Sequence, residues 1–253
     1  GAWRMAALAR PDAPAALDAV QHAYVHGQCY TARPTLDEVS GACRAIARAA
    51  CGDGPLRYRP GVALSIVTSR ARGPLAQRHS KLAFGRAVLA NAWSRRSLAR
   101  HLERVVFQGG AASALWRDDA FDDFGTTRVA LDEHNAEDAL LASGTIPLLA
   151  SPVRDIAGAP AGQYWDGALV DYHLLLPYAR LAGPQHERIV FYPHFNDFVT
   201  PGWLDKHLPW RRAPRAHAWL DDVLLVAPSP AFLATLPNGK LPDRQDFYRY
   251  GQD

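Results

Sequence analysis

The chain has 253 residues and carries 28 Lys plus Arg against 25 Asp plus Glu, a formal charge of +3. At 48% hydrophobic and 21% charged, with 19 Gly and 19 Pro, it has the apolar content for a core, which excludes a disordered chain and a collagen-like repeat. No apolar run reaches the about 18–20 residues of a membrane-spanning helix. The basic residues are scattered, and Arg211-Arg212-Ala213-Pro214-Arg215 is too short a cluster to track phosphates, so nucleic acid is not an expected partner.

Residues 2–9 read as a short helix stopped by Pro11. Asp12 is placed to cap a second helix through about residue 28, with Leu17, Val20 and Tyr24 on one face. Thr35 and Glu38 have capping-box spacing, and Leu36, Val39, Cys43, Ile46 and Ala50 follow with helical period up to Gly52. Residues 62–67 form a continuous β-prone run. Helices are predicted over 75–92 and 96–104, and strands over 105–107 and 128–131. Asn135 is placed to cap a helix from Ala136 to Ser143, ahead of Pro147. Residues 188–192 and 222–226 read as two more buried strands. Strands separated by helices predict an α/β fold whose mainly parallel central sheet is covered by helices. Composition shifts near Gly183-Pro184, so residues 1–182 are expected to form the main domain and 183–253 a C-terminal extension packed on it.

Cys29, Cys43 and Cys51 are odd in number and lack CxxC spacing, which argues against a disulfide scaffold and for reduced thiols, Cys43 in the core. His22 and His26 stand four apart on a predicted helix, but no Glu follows His22 and no third ligand is apparent, so an exposed helix surface is the better reading. Asp118, Asp119, Asp122 and Asp123 lack the offsets of a calcium loop and read as a solvated loop. No metal or cofactor is expected. Residues 199–212 mix Trp, Leu and cations; they suit either a lipid–water interface or packing, and packing is favoured. His194 and Asp197 follow a predicted strand, as a triad histidine and aspartate would, although a structural histidine is the simpler reading.

Residues 136–172 carry the most information. A helix ends in Ala142-Ser143-Gly144-Thr145-Ile146-Pro147, small residues that let another group approach closely. Asp166 then stands between aromatic residues and Gly167-Ala168. Partial desolvation suits Asp166 to general-base work, yet Asp-Gly is also a common hairpin turn, and on the residues alone the turn is favoured.

These two blocks resemble motifs of patatin-like phospholipases. Ala142-Ser143-Gly144-Thr145-Ile146-Pro147 resembles their Ala-Ser-x-x-Ile-Pro block, and Asp166-Gly167-Ala168 their DG[GA] motif, with Leu169-Val170-Asp171 similar to the residues next in that family. Tyr172 departs from the Asn often found there. Gly1-Ala2-Trp3-Arg4-Met5 resembles the last glycine of the G-x-S-x-G elbow and the helix it opens. The resemblance implies a patatin-like three-layer fold and a serine two positions before Gly1. It also implies an N-terminal strand and an oxyanion loop further upstream.

The resemblance implies a Ser-Asp dyad, with Asp166 as general base and Gly1 and Ala2 at the nucleophile elbow. Gly167, Ala168, Ser143 and Pro147 would form the neighbourhood of the site. The implied substrate is a lipid or small ester, with peripheral membrane contact and the upstream segment as further partners. Arg in place of Lys, with abundant Ala, Gly and Pro, matches a GC-rich genome. A bacterial protein, cytoplasmic or on a membrane surface, is expected. Two alternatives stand beside the hydrolase. One is a non-catalytic, lipid-associated scaffold; the other is a metal-dependent hydrolase using Asp171, His173 and His194.

Overall fold

The computed structural model describes residues 1–31, 34–77, 81–111, 122–182, 189–214, 216–243, 246 and 249–250. Asp118, Asp119, Arg188, Arg215 and the boundary at 183–184 lie outside the described residues.

Three helices open the chain: α1 (Ala2–Ala9), α2 (Ala13–His26) and α3 (Leu36–Cys51). Asp12 stands at the N-cap of α2 but makes no side-chain cap. Its carboxylate instead takes a bidentate pair from Arg10, at 2.6 and 2.9 Å, a stronger charge-assisted partner than a backbone N–H. Arg10 also reaches the Ala49 and Ala50 carbonyls, tying the end of α1 to the end of α3. Thr35 caps α3 as expected, accepting from Glu38 N at 3.1 Å. Glu38 turns mainly to the Thr31 N–H and hydroxyl, with the Thr35 N–H a lesser partner. Gly52 closes α3 at φ +75°, where a Cβ would also collide with the Arg10 guanidinium.

The main sheet has five strands in the order β3-β2-β1-β5-β4. They are β1 (Ala63–Ala71), β2 (Leu102–Gly110), β3 (Thr126–Ala130), β4 (Val153–Arg154) and β5 (Gln163–Asp166). The mainly parallel sheet expected from the sequence is corrected here to a mixed one: β2–β3 is parallel, while β1–β2, β1–β5 and β4–β5 are antiparallel. The reason lies between β1 and β2. The chain leaves for α4 (Gly73–Gln77), α5 (Lys81–Trp93) and α6 (Arg95–Leu98). It returns to the end it left, because Arg72 N–H donates to His101 O at 2.7 Å. A return at the same end makes β2 run back along β1. The helix predicted over 96–104 accordingly stops at Leu98, and β2 begins four residues on.

Alternation along the strands divides the core. Leu64 and Ile66 of β1, Val105 and Phe107 of β2 and Tyr164 of β5 pack with α1, α2, α3 and α7 (Ala136–Ala142). Ala71, Leu102 and Trp165 face the other way, onto α4, α5, α6 and α8 (Ala168–Asp171). The fold is α/β, with helices on both faces of the sheet.

The predicted strands at 188–192 and 222–226 appear as β6 (Val190–Pro193) and β7 (Val223–Val226). They form a separate parallel pair rather than joining the sheet. They are not buried strands: Phe191 and Leu224, directly paired, are both exposed, because a lone pair of strands has only one covered face here. Residues 199–212 pack on the main core, with Trp203 and Leu204 against the cluster around Trp165. Asp205, fully buried, accepts from Asn91, Arg95 and Arg211. Among the described residues no helix is long and apolar enough to cross a membrane.

Arg104 of β2 is fully buried. Its Nε and Nη2 donate to the two Asp171 oxygens at 2.6 and 2.7 Å, and Nη2 also donates to Asp122 at 2.8 Å. Asp122 therefore belongs to a buried ion cluster, not to a solvated acidic loop. Removing one member leaves uncompensated buried charge. Arg104→Ala should lower the unfolding free energy by about 3–5 kcal/mol, read from the denaturant midpoint. Replacing Arg104, Asp122 and Asp171 together with apolar residues of similar volume should recover a large part of that loss.

Candidate active site

Asp166 is the last residue of β5, opposite Thr68 of β1. Tyr164 packs on the α1 face of the sheet and Trp165 on the other. By alternation, Asp166 is on the side of α1. Gly167 has helical dihedrals, φ −57° and ψ −25°, and begins α8. The hairpin-turn reading of Asp-Gly is thereby corrected. Asp166 ends a strand, and the hairpin lies earlier, between β4 and β5, where Asp155 N–H donates to Gly162 O.

Two glycines explain how closely the parts fit. A Cβ on Gly167 would overlap the Val67 carbonyl oxygen of β1. A Cβ on Gly144 would lie 2.6 Å from Trp3 Cζ2. The small residues after α7 thus admit the Trp3 indole of α1, whose Nε1 donates to Leu140 O at 2.9 Å. Thr145 then hands the chain to β5: its carbonyl accepts from Asp166 N at 2.9 Å and its hydroxyl donates back to Leu141 O at 2.8 Å. Ser143 is the C-cap of α7, its N–H donating to Ala139 O. Pro147 is buried in the turn after it. Trp3 and Thr145 were missed in the sequence; only the small residues at 142–145 signalled that something packs there.

Asp166 Oδ1 accepts from Ala168 N at 2.8 Å. Among the described residues Oδ2 accepts no hydrogen bond. Burial pushes the carboxyl up to about 6, against the pull of the Ala168 N–H and of the Gly1 ammonium. Burial likewise lowers the Gly1 ammonium, helped by Arg4 and opposed by Asp166. Gly1 is exposed and Asp166 keeps some accessible surface. Gly1 is the N-cap of α1 and Ala2 its first residue, and Gly1 and Asp166 act on each other electrostatically, so the positive dipole end of α1 lies toward Asp166.

The other candidates do not join this site. Both Asp171 oxygens are taken by Arg104. His173 Nδ1 accepts from Thr200 N at 2.9 Å, and burial, with His194 second, lowers its pKa to about 3, so the imidazole stays neutral. The His194 ring packs edge-on against His173 at 4.2 Å, and its Nδ1 lies 2.7 Å from Asn196 O. The His22 and His26 rings are 5.0 Å apart on an exposed face. Among the described residues no group of three or more His, Cys, Asp or Glu is arranged to hold a metal. An open depression of about 490 Å³ along β2 and β3 is lined by Gln108, Arg128, Val129 and Ala130 and does not include Asp166.

Comparison with protein-family models, curated proteins and solved structures finds no match. The patatin-like resemblance therefore rests on the quoted motifs, and the geometry around Asp166 has to be weighed by its own chemistry.

The two glycines differ in what they press against. Gly167→Ala meets a rigid strand carbonyl and should cost about 1–3 kcal/mol. Gly144→Ala meets the edge of a part-exposed indole and should cost less. Chemical denaturation of the two variants checks the order.

Proposed function

We propose that the protein is a serine-dependent acyl hydrolase acting on lipid or small carboxylic esters, with Asp166 as its general base. One observation carries this reading. The N-terminal end of α1 and a desolvated carboxylate, far apart in the chain, are close enough to act on each other electrostatically, and among the described residues one oxygen of that carboxylate accepts no hydrogen bond. A strand-to-helix elbow needs this juxtaposition, with the nucleophile just before a helix and a base within reach.

The proposed serine is carried two residues before Gly1 in a longer chain. As its oxygen bonds to the ester carbonyl carbon, its proton passes to Asp166 Oδ2. The proton then goes to the departing alcohol oxygen as the C–O bond breaks. Water, deprotonated by the same carboxylate, releases the acid and regenerates the serine. The free N–H groups of α1 face the negative charge that develops on the carbonyl oxygen. The Ala168 N–H holds Asp166 Oδ1, leaving Oδ2 free for the proton.

A non-catalytic scaffold is the second reading. Its support is the same Ala168 hydrogen bond, since a carboxylate that only steadies the start of α8 would look alike on that side. Asp166→Asn separates the two. It should retain the fold and abolish both ester hydrolysis and labelling by a fluorophosphonate probe in protein expressed with its upstream coding sequence. Near-normal turnover by the variant would sink the dyad.

A base must be unprotonated to act; burial pushes this carboxyl up to about 6 with Gly1 as an ammonium, and the peptide N–H that Gly1 carries in a longer chain pulls it down less. The kcat/KM of the wild type should therefore fall about tenfold per unit as pH drops below about 6. A profile flat down to pH about 4 would contradict Asp166 as the base.

A further inference from the structure

α5 is oriented against the usual rule for a surface helix. Its buried positions are Ala83, Ala87 and Asn91, one per turn and all small or polar. Its large aliphatic side chains and its Trp point outward: Leu82 is 69% exposed, Leu89 71% and Trp93 86%, with Val88 also exposed. Leu82, Arg86, Leu89 and Trp93 recur at i, i+4, i+7 and i+11, so they line one stripe of the helix. Trp210 adds an exposed indole on a neighbouring turn. It is 75% exposed, and the turn that carries it is fixed to the last turn of α5, where Arg211 donates to Ala92 O and Asn91 Oδ1. An exposed apolar surface of this kind is a place where another apolar phase is met.

Charge says which phase. From Lys81 to Leu102 the sequence contains Lys81, Arg86, Arg95, Arg96 and Arg100, and no Asp or Glu. Arg95 is spent on Asp205. Lys81 and Arg86 are exposed, while Arg96, 80% exposed, pairs with Asp123 at 3.1 Å. Tryptophan at a helix end, aliphatic residues along one stripe and long cations beside them are the composition of a helix lying in a lipid headgroup layer. A second copy of this chain fits poorly, because a two-fold contact through α5 sets the same cations against each other.

We propose that α5 and the adjoining Pro209–Arg211 turn form a docking surface for an anionic lipid membrane. Leu82, Leu89, Trp93 and Trp210 enter the boundary between headgroups and acyl chains. Lys81 and Arg86 meet lipid phosphates. The surface sits on the layer behind the candidate site: Phe84 of α5 packs edge-on against Trp165, the neighbour of Asp166, at 5.4 Å. The proposal stands on α5 alone and does not need the hydrolase reading, since binding is measured without turnover.

The test is co-sedimentation of the protein with vesicles of phosphatidylcholine, and of phosphatidylcholine mixed equally with phosphatidylglycerol. Binding is expected to the mixed vesicles, weakening as salt is added. The double variant Leu89→Ser, Trp93→Ser should lose about tenfold or more of the partition coefficient. It should keep its circular dichroism spectrum, because both side chains are exposed. Lys81→Glu with Arg86→Glu should weaken binding to the mixed vesicles selectively. No binding by the wild type, or equal binding by the Ser variant, would overturn the proposal. Equal binding to both vesicle types would overturn the anionic assignment. A wild-type dimer that the Ser variant converts to monomer would give the face to a second copy instead.

Discussion

A guanidinium held entirely out of water has to be answered by carboxylates, and Arg104 is answered from two directions. Asp171 comes from α8 and Asp122 from the segment leading to β3. The cost of leaving that charge alone fixes where α8 sits against β2. α8 begins two residues after Asp166, and its N-cap Gly167 is pressed to the β1 backbone. The position of the candidate base is thus an outcome of a charge buried on the far side of the sheet from α1. The aspartate of Leu169-Val170-Asp171 reads most simply as an anchor for that short helix.

Asp166 itself is held at a cost. Its folded-state pKa is raised above the ordinary 3.8 to about 6, chiefly by burial. Above pH about 6 the ionised carboxylate weighs against the fold. As pH falls from there toward the unfolded value, the folded protein takes up the proton first, and this group's contribution becomes more favourable. The buried His173 is the contrasting case: it stays neutral over the whole working range and fills space among aromatic rings.

The first three helices were legible because their signals are local: Pro11, Thr35 and Gly52 act within a turn of the boundaries they set. β1 was legible from its β-branched run. The direction of β2 was not, since it depends on Arg72 meeting His101 across the α4–α6 excursion. β4 and β5, two and four residues long, offer too little periodicity to detect. In the site, Asp166 stood out only through its resemblance to a known motif; its local sequence read as a hairpin turn until Gly167 proved helical. The contact between Trp3 and Gly144 joins distant segments, and neither residue announces the other. α5 was legible as a helix, but which of its faces is covered is decided by its neighbours.

The closure between Arg72 and His101 has a consequence for how the molecule can change over evolutionary time. The two residues are directly hydrogen-bonded, so everything between them is a detour that starts and finishes at one point. A tight turn could join β1 to β2 in its place without altering the register of either strand. Such a detour can be lengthened or respecialised on its exposed side with the register of β1 and β2 kept, as long as its covered side still packs on Trp165 and Arg95 still meets Asp205.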